Sequence, residues 1–233
     1  MDTLSIRVND KTYLIYRELF APVKSNMYVF IQNKQALAFD PCESEEIFNL
    51  LRDNNVNHID IFLTHEHFDH TSGVNWLRSH FKSTLHCQQK CAESISVERR
   101  NNPTLVAMVL ADLDKHDGGR RYKSFMEAFK PYICEANDTF EKEGSWTFGN
   151  LKIKGVSTPG HSPGSCFYFI NEKLLLSGDS LLEDCKVITT FRRGSQKDYD
   201  NITLPYIKSL NNDLRVLPGH GEPFVIDEAK YIY

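Results

Sequence analysis

Residues 64–73 read THEHFDHTSG, and three histidines, a glutamate and an aspartate fill five of the six positions from His65 to His70. Burying several imidazoles and carboxylates together is costly unless something shares their lone pairs, and a divalent cation does so. His65 and His67, two residues apart, lie on one side of an extended chain and suit one ion. Asp69 and His70, in the turn beyond the strand, are placed to face a neighbouring ion. The zinc-helix pattern HExxH fails, because the fourth residue after His65 is Asp69. Glu66 then points away from the pair and is not required as a base.

Outward from this cluster the chain alternates. HIDIFLT reads as a buried strand ending where the cluster begins, and SEEIFNLLRDNN before it has helical spacing, with Ile47, Leu50 and Leu51 on one face. Further upstream, LSIRV and TYLIY flank ND, and NMYVFIQ and QALAFD flank NK, which predicts two β-hairpins. Downstream, SGVNWLRSHF reads as helix and STLHC as strand. Residues 88 to about 130 form a helical insert, with PTLVAMVLADLD and RRYKSFMEAF separated by the breaker KHDGGR. Strands return from 138, followed by a helix near 197–210 and a last strand, LRVLP. Two β-rich halves thus flank the insert, and with no repeat or linker between them the expectation is one domain over 1–233. The apolar run LVAMVL is read first as the insert's own core, with an acyl-binding wall or a contact with a second copy of the chain as alternatives.

Composition narrows the classes. The chain has 233 residues, 41% hydrophobic, and a formal net charge of −4. That balance, without a long basic run, provides no footprint for nucleic acid. No stretch has the length and apolarity to span a bilayer, and the N-terminus lacks the apolar centre of a signal peptide, so a cytoplasmic protein acting on a small molecule is expected. Cys42, Cys87, Cys91, Cys134, Cys166 and Cys185 show no CxxC framework and are expected as thiols.

A metal site needs more ligands than one strand end supplies, and three other turns offer them. STPGHSPGS carries His161, LLLSGDS carries Asp179 and RVLPGHGEP carries His220, each directly after a strand. Taken in order, HxHxDH, PGHSPG, GD and PGHG resemble the metallo-β-lactamase fold hydrolases, and within them the glyoxalase II-like group, over about residues 26 to 225. The resemblance implies an α/β fold, a four-layer αββα sandwich with metals at one edge. It further implies that His65, His67 and His161 hold one metal, that Asp69, His70 and His220 hold the second, and that Asp179 bridges them. Asp40, ending QALAFD, matches an early aspartate that supports the site from behind.

The implied chemistry is hydrolysis. Two divalent ions, zinc by default with iron or manganese also accepted by such ligands, lower the pKa of a shared water and polarise a thioester or ester carbonyl, while Asp69 orients the water. Glyoxalase II enzymes continue after PGHG into a helical domain whose basic residues hold glutathione carboxylates. This sequence stops at Tyr233, and its candidate substrate-binding cations are Arg120 and Arg121 in the insert and Arg192 and Arg193 in FRRGSQKD. The alternatives within the fold are a one-iron persulfide dioxygenase, and a lactonase or phosphodiesterase.

Overall fold

Alternating side chains build the first sheet strand by strand. β1 (Asp2–Val8), β2 (Lys11–Phe20), β3 (Ser25–Gln32) and β4 (Gln35–Phe39) run antiparallel, and β5 (His58–Leu63), β6 (Ser83–Gln88) and β7 (Asp138–Phe140) extend the sheet in parallel. The second sheet places β8 (Glu143–Phe148), β9 (Leu151–Ser157), β10 (Cys166–Ile170), β11 (Leu174–Gly178), β12 (Arg215–Pro218) and β13 (Phe224–Val225) side by side, with only β11 and β12 parallel. This is a computed structural model, and it describes residues 1–8, 11–101, 103–183 and 185–226; the expected Asn9–Asp10 turn lies outside them.

Both faces of the central strands are apolar, so each sheet is covered twice. Tyr28, Phe30, Leu37, Phe39 and Phe62 face Tyr168, Ile170 and Leu176 of the other sheet. Phe62 stacks on Phe39 with ring centroids 5.2 Å apart and meets the edge of Tyr168 at 5.1 Å. The alternate residues of the first sheet, among them Met27, Val29, Ile59, Ile61 and Leu63, pack beneath helices. Those helices are α1 (Glu45–Asp53), α2 (Phe68–Thr71), α3 (Val74–His80), α4 (Gln89–Ile95), α5 (Thr104–Asp117) and α6 (Arg121–Ala128). On the outer face of the second sheet, Phe167, Leu175 and Val216 are covered by Tyr199 and Ile207. The four-layer αββα sandwich follows from period-two burial on both sheets.

Three expectations change, the simplest being that LRVLP is not the last strand, because β13 follows and pairs antiparallel with β12. The strands from 138 onward do not all belong to the second half, because β7 pairs in parallel with β6, His86 beside Asp138. The helical insert is therefore an excursion between two neighbouring strands of the first sheet; three residues, DTF, carry too short a pattern to select a sheet. The single helix near 197–210 is α7 (Gln196–Asp198), a π-helical turn over Tyr199–Thr203 and α8 (Leu204–Lys208). Pro205 has no N–H to return to the preceding turn, and the Leu204 N–H bonds five residues back, to the Tyr199 carbonyl. The widened turn presents Tyr199 to the backbone at Gly160 and lets the Thr203 hydroxyl donate to the Pro159 carbonyl at 2.6 Å, bracing the turn that carries His161.

Local signals place the ends that matter. Ser44 caps α1 by accepting from the Ile47 N–H at 3.2 Å, ahead of Glu45 and Glu46 in the first turn. Gly73, at the start of α3, donates to the Pro41 carbonyl at 2.7 Å, and a Cβ there would lie 2.6 Å from the Cys42 carbonyl carbon. This contact seats α2 and α3 against the chain leaving β4. Gly73→Ala is expected to lower stability by about 1–3 kcal/mol, because the clash is with backbone that cannot rotate away; urea unfolding of the two proteins measures it.

Candidate metal centre

Every candidate ligand lies beyond the C-terminal end of a strand. Asp40 follows β4, His65 to His70 follow β5, His161 follows β9, Asp179 follows β11 and His220 follows β12. The fold brings all of them to one edge of the sandwich. His65 and His67 occupy the extended segment after β5, whereas Asp69 and His70 lie not in an open turn but in the single helical turn α2. Glu66 turns away, as its spacing implies: its buried carboxylate accepts from the Ser162 hydroxyl at 2.8 Å and the Gly164 N–H at 3.2 Å.

Three ring nitrogens converge. His67 Nδ1 lies 3.0 Å from His65 Nε2 and 2.9 Å from His161 Nε2. The tautomers follow from the far side of each ring. The Thr64 hydroxyl has one proton, which it gives to Asp40 Oδ2 at 2.6 Å, so the His65 Nδ1 that faces it at 3.1 Å is the donor. His161 Nδ1 donates to the Ile188 carbonyl at 2.8 Å. Neutral His65 and His161 therefore aim Nε2 lone pairs at the same point, an arrangement repulsive by itself and suited to a cation.

A second group adjoins the first. His70 donates from Nδ1 to Asp40 Oδ2 at 2.9 Å, leaving Nε2 3.3 Å from Asp69 Oδ2 and 3.4 Å from Asp179 Oδ1. His220 Nε2 lies 3.4 Å from Asp69 Oδ2 and 3.5 Å from Asp179 Oδ2, and that same Asp179 oxygen is 3.5 Å from His161 Nε2. Ligand atoms of His65, His67 and His161 lie within 4.8 Å of one another, as do those of Asp69, His70 and His220. Asp40, His65 and His70 form a third such group, but there Asp40 holds the outer nitrogen of His70 and, through Thr64, that of His65. The buried His70 Nε2 and Asp179 Oδ1 make no hydrogen bond among the described residues. Orphaned donor atoms facing a cluster of imidazoles and carboxylates fit divalent cations.

Protonation follows the same division. Burial, reinforced by neighbouring imidazoles, holds His65 well below the usual imidazole pKa and pushes His67 down to about 3; burial also lowers His161. In the second group burial opposes charge, yet the adjacent carboxylates outweigh it: Asp69, Asp179 and Asp40 raise His70 well above its ordinary value, and Asp179 and Asp69 raise His220. Burial likewise opposes ionisation of Asp69 and Asp179, and the neighbouring histidines overcome it and keep both below the usual carboxylate range.

The positioning residues were only partly legible. Asp40 is where the motif implies, but Thr64 was missed, although it immediately precedes the cluster at a strand end; a carbonyl such as that of Ile188 has no sequence signal. None of the four candidate arginines lines the site, and two of them are bound elsewhere. The cavity beside the ligands is lined by Lys186 and by apolar groups but by none of Arg120, Arg121, Arg192 or Arg193. Arg121 is exposed and binds Asp117 at 2.6 Å and Asp114 at 3.1 Å on its own helical hairpin. Arg193 hydrogen-bonds the Ser94 hydroxyl and stands 3.9 Å from Glu66, behind the ligands.

Comparison with known proteins agrees with this geometry. Residues 21–220 match the family model described as the metallo-beta-lactamase superfamily. The chain is 27% identical over 202 residues to a probable metallo-hydrolase, YqgX, of Bacillus subtilis, covering 86% of each chain. It is 25% identical over 202 residues to a hydroxyacylglutathione hydrolase of Glaesserella parasuis, covering 85% of this chain and 67% of that one. Among solved structures, it is similar to the BLEG-1 B3 metallo-beta-lactamase, with a TM-score of 0.69 and 26% identity over 91% of this chain and 94% of that one.

Two sets of measurements test the centre. Asp179→Ala is expected to weaken binding at both ligand groups, Thr64→Val to lower affinity by about 10–100-fold through the loosened rings, and His58→Ala to leave it unchanged, by competition with a chromophoric chelator. The second concerns pH. A cation at Asp69, His70 and His220 must displace protons from histidines whose pKa is raised. Apparent affinity there is expected to rise with pH through and above the ordinary imidazole range, by up to about tenfold per unit for each proton released, and then level off. Proton release measured alongside metal titration in weak and strong buffers checks the sign.

Proposed function

The chain belongs to the metallo-beta-lactamase superfamily and is a metallo-hydrolase of that kind, and from this premise we propose that it cleaves a thioester or ester of a small acyl group with two divalent ions, zinc by default. The observation that supports a pair of ions is Asp179, whose carboxylate reaches His161 at 3.5 Å on one side and His70 at 3.4 Å and His220 at 3.5 Å on the other. His65, His67 and His161 would hold one ion, Asp69, His70 and His220 the other, and Asp179 would serve both. When bound, such a pair supplies hydroxide near neutral pH and polarises a carbonyl.

The chain's own residues do the rest. Asp69, kept ionised by His70 and His220, presents a carboxylate oxygen that can accept a hydrogen bond from the attacking water and fix its orientation. Asp40 and Thr64 hold His70 and His65 in the tautomers that leave Nε2 free, and the Ile188 carbonyl does so for His161. The water oxygen bonds to the acyl carbon, the carbon–sulfur or carbon–oxygen bond breaks, and the products are a carboxylate, a thiol or alcohol, and a proton. The resemblance to a hydroxyacylglutathione hydrolase supports the thioester class.

The test combines metal content with turnover. About two ions per chain, with hydrolysis of thioesters lost in Asp179→Ala, is the expected result. A single iron per chain, with oxygen consumption on a persulfide and no thioester cleavage, overturns the proposal in favour of a dioxygenase.

A further inference from the structure

A cavity of about 290 Å³ opens on the ligand cluster, with His67, Asp69, His161, Asp179 and His220 at one part of its wall. The rest is of a different character. Leu105, Val106 and Val109 of α5 line it, as do Leu182, Ile188 and Phe191 of the segment after β11. Lys186, itself exposed, is the single lysine or arginine among the lining residues.

The run LVAMVL divides by face. Val106, Ala107 and Leu110 are buried in the core beneath α5, which accounts for them as packing. Leu105 and Val109 are not in that core; they turn to the cavity, and Val109 is 38% exposed. Ile188 is 47% exposed at the same cavity, while its carbonyl is fixed on His161. Core packing explains neither side chain, and each adds apolar surface beside a cluster of charged groups where water would otherwise be favoured. Charge points the same way. A leaving group with two carboxylates, as glutathione has, would find one flexible ammonium here, since no arginine lines the cavity and Arg121 and Arg193 are bound to other groups.

We propose that the cavity between α5 and the side chains of Leu182, Ile188 and Phe191 is an acyl pocket. It takes the apolar chain of a medium-length aliphatic or aromatic acyl group and places its carbonyl at the ligand cluster, and Leu105, Val109, Ile188 and Phe191 set the specificity. This rests on the hydrolase reading above for the reaction, but not for the binding. Each methylene covered by the pocket is expected to raise kcat/KM roughly fourfold until the cavity is full. The carboxylic acid product retains the chain and is held by the same wall.

The metal-loaded protein is assayed with acetyl, butyryl, hexanoyl and octanoyl thioesters of one small thiol, N-acetylcysteamine, and binding of acetate and octanoate is measured separately by calorimetry. The expected result is a rising series that Val109→Asp flattens, and tighter binding of octanoate than of acetate, which the same substitution abolishes. Met108→Asp, one residue away on α5, 64% exposed and outside the cavity, is expected to leave both unchanged. A flat series together with equal binding of the two acids overturns the pocket and leaves the hydrolase intact. Selective octanoate binding that Val109→Asp removes, without cleavage of any thioester, upholds the pocket and overturns the hydrolase. Equal loss in Met108→Asp and Val109→Asp means that α5 has been disrupted as a whole and overturns the assignment of specificity to Val109.

Discussion

The Asp40 carboxylate is the junction on which the ligand cluster depends. It accepts from the Thr64 N–H at 2.7 Å, from the Thr64 hydroxyl at 2.6 Å and from His70 Nδ1 at 2.9 Å, while 4% exposed. A buried charge is tolerable only when its lone pairs are satisfied, and here three donors do so. The residue adopts φ of 50°, a left-handed conformation that costs a non-glycine residue roughly 1–3 kcal/mol and persists only where surrounding contacts demand it. Those contacts tie the end of β4 to the end of β5 and to α2, and so fix His65 and His70 together. One carboxylate sets the rotation of one imidazole directly and of another through a hydroxyl.

The second sheet is locked to this junction by groups that contribute no ligand. Asn26 donates from its side chain to the carbonyls of Pro218 and Gly221, each at 2.9 Å, and the Tyr28 hydroxyl donates to Pro218 at 3.0 Å. The Ser25 hydroxyl reaches the Asp69 carbonyl at 3.2 Å, and Ser25 bridges His220 through the backbone. The start of β3 thus holds the turns of Asp69 and His220 in one frame. Gly219 shows how close the approach is, since a Cβ there would lie 2.1 Å from Asp179 Oδ1. The site is an edge where two sheets converge, and its rigidity comes from bonds across that edge.

Electrostatics divides the cluster into unlike halves. Burial keeps the pKa of His65, His67 and His161 low, whereas Asp69 and Asp179 raise those of His70 and His220 against the effect of burial. A cation entering the first half relieves repulsion between lone pairs. One entering the second competes with protons that the adjacent carboxylates favour. The two halves therefore bind metal with different dependence on pH, although they meet at one aspartate.

The ligands were legible in the sequence because each sits in a short, recognisable turn after an apolar strand, with HxHxDH, PGHSPG, GD and PGHG appearing in order. The layers were legible for a similar reason, since period-two burial and a helical period are properties of consecutive residues. What depended on distance in the chain was not. DTF joins the first sheet because the chain returns from α6 beside β6, a choice three residues cannot encode. Arg121 is spent on Asp114 and Asp117, Arg193 turns to Ser94 behind the ligands, and Leu105 and Val109 leave their helix's core for the cavity. The sequence by itself determined the ligand types, their order and the layers that carry them, because those reside in local spacing. Only the tertiary structure decided which strands neighbour one another, that Asp40 orients His70 and the Ile188 carbonyl orients His161, and which side chains face the cavity, because those are contacts between residues tens of positions apart or more.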